Sequence, residues 1–176
     1  LYHGFSDSFE MYIFIIPFIL ALQLVKTYKD QITLFKLIVI AGFWYSIPIL
    51  LEIRFSPQLH TWIYGFFPHS FLQQKRFGGF RAVVFLGHGL VVAMFVVVVL
   101  SSSVLLWKEK IRAGRYSPAT LVIYFVVVLL FCKSVGPGVL GLTFLVAMGL
   151  TSIKMIKGLT VFITTVVIAY PLLCLY

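Results

Sequence analysis

The sequence predicts an all-α, polytopic integral membrane protein that crosses the bilayer about six times. Of its 176 residues, 61% are hydrophobic and 11% are charged, whereas soluble domains are about 45–50% apolar and about 25% charged. The apolar residues form long runs without charge, and short basic clusters separate these runs. No repeat or linker divides the chain, which predicts one transmembrane domain over residues 1–176. Because the sequence starts at Leu1 and has no signal peptide, we expect it to be part of a longer chain.

Six apolar segments are predicted to span the hydrocarbon core, which requires roughly 20 residues per helix. The first three, at 9–25, 32–51 and 82–107, are long and regular. The fourth and fifth, at 118–132 and 139–150, are shorter. Between them, Lys133 to Gly138 includes Gly136-Pro137-Gly138, which predicts either a tight hairpin or one broken helix. The sixth, at 158–173, is expected to end near Tyr170-Pro171.

The loops between these segments differ in their Lys and Arg content, which indicates the orientation of the chain. One set of alternate loops carries eight cations, at Lys26, Lys29, Lys108, Lys110, Arg112, Arg115, Lys154 and Lys157. The opposite set carries five, at Arg54, Lys75, Arg76, Arg81 and Lys133. Since cytoplasmic loops are enriched in Lys and Arg, the first set is predicted to lie inside. The loop at 52–81 then lies on the outer face.

The outer loop at 52–81 is predicted to contain an amphipathic helix in the membrane interface. Ser56-Pro57 is a typical helix start, with a capping hydroxyl before a proline. Apolar residues follow at the spacing of one helical face, at Leu59, Trp62, Ile63 and Phe66. Aromatic side chains favour the interface, so the helix either guides a lipid-linked substrate or is a simple anchor with snorkelling cations.

Four cations of the outer face are candidate ligands for a diphosphate: Arg54, Arg76, Arg81 and Lys133. Within residues 76–81, two glycines separate two arginines. Glycines let the backbone approach a ligand closely, and each guanidinium matches the geometry of phosphate oxygens. The loop at 52–81 itself has four cations, at Arg54, Lys75, Arg76 and Arg81, and only one carboxylate, Glu52. This excess of positive charge predicts an anionic partner. For Lys133 the alternative is a cation that snorkels to the membrane surface.

Four titratable groups on this face are candidate functional residues: His60, His69, His88 and Glu52. His88 is predicted to lie about two turns into the third apolar helix, where an ionisable group indicates function. The alternative is a neutral histidine that is hydrogen-bonded to a neighbouring helix.

The sequence excludes several other kinds of site. The two cysteines, Cys132 and Cys174, do not have the spacing of a zinc or redox motif. The chain contains no P-loop, nucleophile elbow or HExxH motif, and its outer carboxylates are scattered. Its basic residues form short clusters rather than a continuous face. We therefore predict no metal, no cofactor and no nucleic-acid partner, and expect membrane lipids as partners.

Three landmarks resemble the O-antigen ligase and O-antigen polymerase family. Residues 76–88 are similar to the segment in which an Arg precedes a Gly-Phe-x-Gly-His/Asn-type helix start. The turn at 132–137 resembles the family's Ser-Arg-Gly-type turn, with Lys133 in place of the more usual Arg. Residues 169–173 are similar to the helix end that precedes the family's large outer loop. The chain differs at Ala82 and at Gly89-Leu90, where the family often has Pro and Pro-Asn.

The resemblance implies a metal-independent glycosyltransferase of cell-surface polysaccharide synthesis, such as that of lipopolysaccharide. Its donor would be an undecaprenyl-diphosphate-linked glycan, and its acceptor a lipid or another glycan. The active face would be the periplasmic side of the bacterial inner (cytoplasmic) membrane. The four cations would stabilise the leaving diphosphate. A general base would deprotonate the acceptor hydroxyl, with His60, His69 and His88 as candidates. Glu52 would either orient Arg54 or act as the base itself. The family's further catalytic histidine is expected in the large outer loop, past Tyr176.

Two other functions remain open from the sequence. A transporter or flippase component would bind an anionic lipid-linked substrate without chemistry, and Gly136-Pro137-Gly138 resembles the helix breaks of such proteins. The other is a structural membrane subunit.

Overall fold

The structure is a computed structural model that describes residues 2–56, 59–67, 75–76 and 78–150, together with positions 158, 161 and 165. This part of the chain is mostly helical, which confirms the predicted all-α class. Its elements are α1 (Tyr2–Leu24), α2 (Tyr28–Phe55), α3 (Leu59–Tyr64), β1 (Lys75–Arg76), β2 (Gly79–Phe80), α4 (Gly89–Lys108), α5 (Pro118–Phe131) and α6 (Val135–Leu150).

Helix α4 is the centre of the fold and packs against α2, α5 and α6. Glycines bring the neighbouring helices close together. A Cβ atom at Gly42 of α2 would lie 2.5 Å from both methyl groups of Val99. A Cβ atom at Gly141 of α6 would lie 2.6 Å from a methyl group of Leu129 on α5. Small residues at helix contacts are typical of membrane bundles, because dispersion contacts there depend on close backbone approach.

The helix starts follow from local sequence. Thr27 caps α2 in a reciprocal capping box, in which its hydroxyl accepts the Asp30 N–H and the Asp30 carboxylate accepts the Thr27 N–H. Ser117 caps α5, and Pro118 occupies the first helical position. The fourth predicted segment therefore begins where the sequence indicates.

Two of the described helices, α2 and α4, are long and apolar enough to cross a membrane. The described apolar stretches in α1, α5 and α6 are shorter, at Ile15–Leu24, Pro118–Phe131 and Val135–Met148. Large apolar side chains are exposed on α1, such as Phe18 at 65%. These features support association with a membrane. The sixth predicted segment, at 158–173, lies outside the described residues except for positions 158, 161 and 165, which are helical.

Several helix boundaries differ from those predicted. Helix α1 begins at Tyr2 rather than at residue 9, and α2 covers Tyr28–Phe55 rather than 32–51. Two further wrong boundaries lie beside the candidate site residues. The third segment was expected to be helical from residue 82, but α4 begins at Gly89. The residues before it form a turn in which Val84 and Gly87 have positive φ angles of 47° and 73°, which a right-handed helix excludes. His88 therefore lies at the start of α4, not two turns inside it.

The second wrong boundary is the start of α6, at Val135 rather than at residue 139. Gly136-Pro137-Gly138 lies inside the first turn of α6, where a proline removes no intrahelical hydrogen bond. The chain turns instead at Lys133, which has a φ angle of 51°. The interfacial helix is also shorter than its apolar pattern, since α3 has six residues and ends before Phe66.

Candidate functional site

A buried carboxylate organises the outer loop. Glu52, near the end of α2, is only 1% exposed. One carboxylate oxygen accepts the Leu59 N–H at 3.1 Å. The other accepts the N–H groups of Val83 and Val84 at 2.8 and 2.7 Å. Glu52 thus joins the end of α2 to the start of α3 and to the turn before α4.

The turn before helix α4 depends on this carboxylate. Positive φ angles at Val84 and Gly87 prevent a helix here, and Glu52 satisfies the Val83 and Val84 N–H groups of the turn. The turn is closed by a hydrogen bond from the Leu86 N–H to the Val83 carbonyl. The hydroxyl of Tyr45 on α2 also accepts the Phe85 N–H at 3.3 Å. Tyr45 was not predicted from the sequence, where it is one aromatic residue in an apolar helix.

Arg81 is buried beside the first residue of α4. Its side chain is 5% exposed. A Cβ atom at Gly89 would lie 2.7 Å from the Cγ and Nε atoms of Arg81, so only glycine leaves room for the guanidinium stem. The positive end of the α4 dipole and the positive charge of Arg81 therefore occupy the same region. Such a region favours an anion.

Lys133, from the turn between α5 and α6, reaches the same region. Its Nζ atom lies against the backbone of Gly79, so close that a Cβ atom at residue 79 would clash with it. Gly79 and Arg81 are two residues apart in extended backbone, so their Cα atoms are about 7 Å apart. The charge of Arg81 also acts on Cys132, the neighbour of Lys133. Arg81 and Lys133, distant in sequence, thus lie in one neighbourhood, which we call the cationic site.

The described side chains of the cationic site carry charges of both signs. Arg81 and Lys133 contribute two positive charges, and the buried Glu52 contributes one negative charge. The N-terminal end of α4 adds the partial positive charge of its dipole beside the backbone of Gly89.

His88 caps the N-terminus of α4. Its Nδ1 atom accepts the Leu90 N–H at 3.0 Å. This contact requires a lone pair on Nδ1, so the neutral ring carries its proton on Nε2 and presents a donor there. A general base needs a free lone pair. In this geometry His88 can cap the helix through Nδ1 and donate a hydrogen bond from Nε2. It is not suited to abstract a proton, because its lone pair is used by the cap.

His60 has the opposite arrangement. Its Nδ1 atom lies 2.9 Å from the Phe66 carbonyl oxygen, which can only accept, so Nδ1 donates. The neutral ring then has its lone pair on Nε2. The ring is 7% exposed and contacts the rings of Tyr64 and Phe66, at centroid distances of 4.7 and 4.9 Å. Of the two histidines whose Nδ1 hydrogen bonds the structure describes, His60 is the one whose tautomer suits a general base.

Fewer contacts are described for the other predicted site residues. Arg54 is exposed, and its guanidinium lies 5.8 Å from the centroid of the Phe55 ring. Arg76 pairs with Gly79 through the β1–β2 ribbon, and this backbone pairing is all that is described for it. His69 lies outside the described residues. Glu52, predicted either to orient Arg54 or to act as a base, instead directs both oxygens to backbone N–H groups.

Within the described part of the chain, no group of three or more His, Cys, Asp or Glu residues is arranged to hold a metal ion. Comparisons with protein-family models, with curated proteins and with solved structures find no match for this chain.

Proposed function

We propose that this protein is a multi-pass glycosyltransferase of the bacterial inner membrane. It transfers a glycan from an undecaprenyl-diphosphate donor to a lipid or glycan acceptor, as an O-antigen ligase or polymerase does. The observation that carries this proposal is the cationic site, in which Arg81 and Lys133 converge on the backbone of Gly79 and Gly89. The resemblance of residues 76–88 and 132–137 to that family agrees with this position of the two cations.

The cationic site has the chemistry that the leaving group needs. When the anomeric C–O bond breaks, its electron pair remains on the diphosphate, which gains negative charge. Fixed cations stabilise that charge most effectively where water is excluded, and Arg81 is buried. The planar guanidinium can contact two phosphate oxygens at once, and the ammonium group of Lys133 adds a point charge. This part of the mechanism is assigned to side chains and needs no metal.

The acceptor must lose a proton as its oxygen attacks the anomeric carbon. His60 is our candidate for the base within the described residues, because its Nε2 atom carries the lone pair. Its helix α3 is linked to the turn before α4 through Glu52 and through the contact of the Tyr64 and Phe85 rings at 6.3 Å. The exposed Trp62 and Ile63 of α3 would then face the lipid-linked donor.

The test is transfer of a fluorescent undecaprenyl-diphosphate glycan by the full-length protein in liposomes, with EDTA present. Removing one stabilising group of this kind typically costs about 10²- to 10³-fold in rate. We expect Lys133→Gln and Arg81→Lys to lose transfer on that scale. Lys26→Gln, which removes an exposed cation elsewhere, is the matched control and should be normal.

Two outcomes would contradict the proposal. Normal transfer by both site variants would remove the role of the cations in catalysis. Binding of the donor without product, for every acceptor offered, would favour the transporter function. Each variant is first checked for membrane insertion and for a wild-type elution profile in detergent, so that loss of fold is not read as loss of chemistry.

A further inference from the structure

A second group of cations lines an open groove at the opposite end of α4. The groove has a volume of about 520 Å³. It lies between the end of α4 and the start of α5, and its lining includes Trp107, Lys108, Lys110, Arg112, Ser117 and Ala119. We call it the basic groove. It shares none of these residues with the cationic site.

The local structure keeps the basic groove positive. Glu109 is the one acid in the sequence between Trp107 and Ala119, and it does not line the groove. Its carboxylate accepts a hydrogen bond from the Tyr28 hydroxyl at 2.7 Å, which draws it toward α2. Lys110 has a φ angle of 55°, a strained left-handed conformation at the turn after α4. Among the described residues, three cations thus line the groove and no carboxylate does.

The start of α5 adds to this potential. Helix α5 has 14 residues, and Ser117 caps it with Pro118 at the first position. The positive end of its dipole therefore lies at the wall of the groove, where phosphate groups are favoured. The same wall carries the three cations Lys108, Lys110 and Arg112.

The groove also lies at the depth of lipid head groups. Helix α4 is an apolar stretch of 20 residues that ends at Lys108. Such a stretch has about the thickness of the hydrocarbon core, so the residues after it meet the head-group layer. Trp107 is 45% exposed at this level, and tryptophan favours the interface.

We propose that the basic groove binds the phosphate group of an anionic phospholipid. The site is separate from the proposed glycan transfer and holds whether or not the protein is a transferase. Lys110 and Arg112 are exposed and can reach the phosphate oxygens, and the start of α5 supplies backbone dipoles. By the loop-charge rule this end of α4 faces the cytoplasm, where anionic lipids attract basic residues.

The experiment is native mass spectrometry of the full-length protein in detergent, titrated with phosphatidylglycerol or phosphatidylcholine. The groove variant is Lys110→Gln/Arg112→Gln. The control is Lys26→Gln/Lys29→Gln, which removes two exposed cations from the α1–α2 connection on the same predicted side. We expect the groove variant to bind phosphatidylglycerol at least about tenfold more weakly. The control should retain the affinity and the preference of the wild type.

Three results would overturn the proposal. Equal loss in both variants would mean a general positive surface rather than a site. Equal binding of phosphatidylcholine and phosphatidylglycerol by the wild type would mean that the anionic charge is not recognised. Binding of inorganic phosphate in the absence of lipid, lost only in the groove variant, would assign the groove to free phosphate.

Discussion

The two ends of α4 both carry cations, but they hold them in different ways. At the N-terminal end, Arg81 is buried against Gly89, and the backbone beside it is fixed by the buried Glu52. At the C-terminal end, Lys110 and Arg112 are exposed around an open groove. A fixed, desolvated cation suits the stabilisation of a developing charge. Exposed cations with flexible side chains suit the head groups of mobile lipids.

The largest difference between the two ends is expected from their carboxylates. Glu52→Ala leaves three N–H groups without their acceptor, two of them in a buried turn, and should lower the free energy of unfolding by about 3 kcal/mol or more. Glu109→Ala removes one hydrogen bond of an exposed pair and should lower the stability far less, because water replaces the lost bond. Thermal unfolding of the full-length protein in detergent measures both. Similar shifts for the two variants would show that Glu52 is not the tether of the outer loop.

The second prediction concerns the close packing that holds α4 between its two ends. Gly42→Ala places a methyl group against the branched side chain of Val99 and should destabilise the protein by about 1–3 kcal/mol. At Gly138, nothing lies within 4 Å of the added Cβ atom, and alanine is the better helix former. Gly138→Ala should therefore be neutral or stabilising in the same unfolding measurement. Equal tolerance of both substitutions would mean that α2 and α4 are not in close contact.

The third prediction separates capping from catalysis at the N-terminal end. His88→Ala removes the cap of α4 and should cost about 1 kcal/mol, whereas His88→Asn keeps a capping side chain. Because Nδ1 is occupied by the cap, we expect His88→Asn to retain both stability and glycan transfer. A stable but inactive His88→Asn protein would instead assign His88 a direct part in transfer. Unfolding and transfer are measured on the same preparations.

The smallest effect is expected at the C-terminal end. Tyr28→Phe removes the hydroxyl that holds Glu109, which frees a carboxylate close to the basic groove. Binding of phosphatidylglycerol should weaken by about two- to fivefold, because water and salt screen a single charge at the surface. Tyr12→Phe, on the exposed part of α1, is the control. Unchanged binding by Tyr28→Phe would mean that the position of Glu109 does not affect the groove.

Local sequence accounts for the starts of two of the described helices. The starts of α2 and α5 follow from Thr27 with Asp30 and from Ser117-Pro118, because capping depends on side chains within the same turn. The prediction that Arg81 and Lys133 belong to one site came from the resemblance and from the assignment of both residues to the outer face. The two lie together here through their contacts with Gly89 and Gly79.

The start of α4 and the tautomers of the histidines could not be predicted in this way. The apolar run from residue 82 is compatible with a helix, but the chain turns at Val84 and Gly87, and Glu52, some 30 residues earlier in the chain, holds the N–H groups of that turn. Likewise, nothing in the sequence around His60 identifies the Phe66 carbonyl as its partner rather than water. Both depend on groups that only folding brings together.

The sequence by itself determined the helical class, the apolar stretches and the uneven distribution of cations, because these depend on composition and on local hydrogen bonding. Only the tertiary structure decided which cations become buried and which remain exposed. Arg81 became part of a buried site because Gly89 leaves space for it and Glu52 fixes the turn beside it. Lys110 and Arg112, of the same charge, remain exposed in the turn between α4 and α5, where no other element of the described part of the chain covers them.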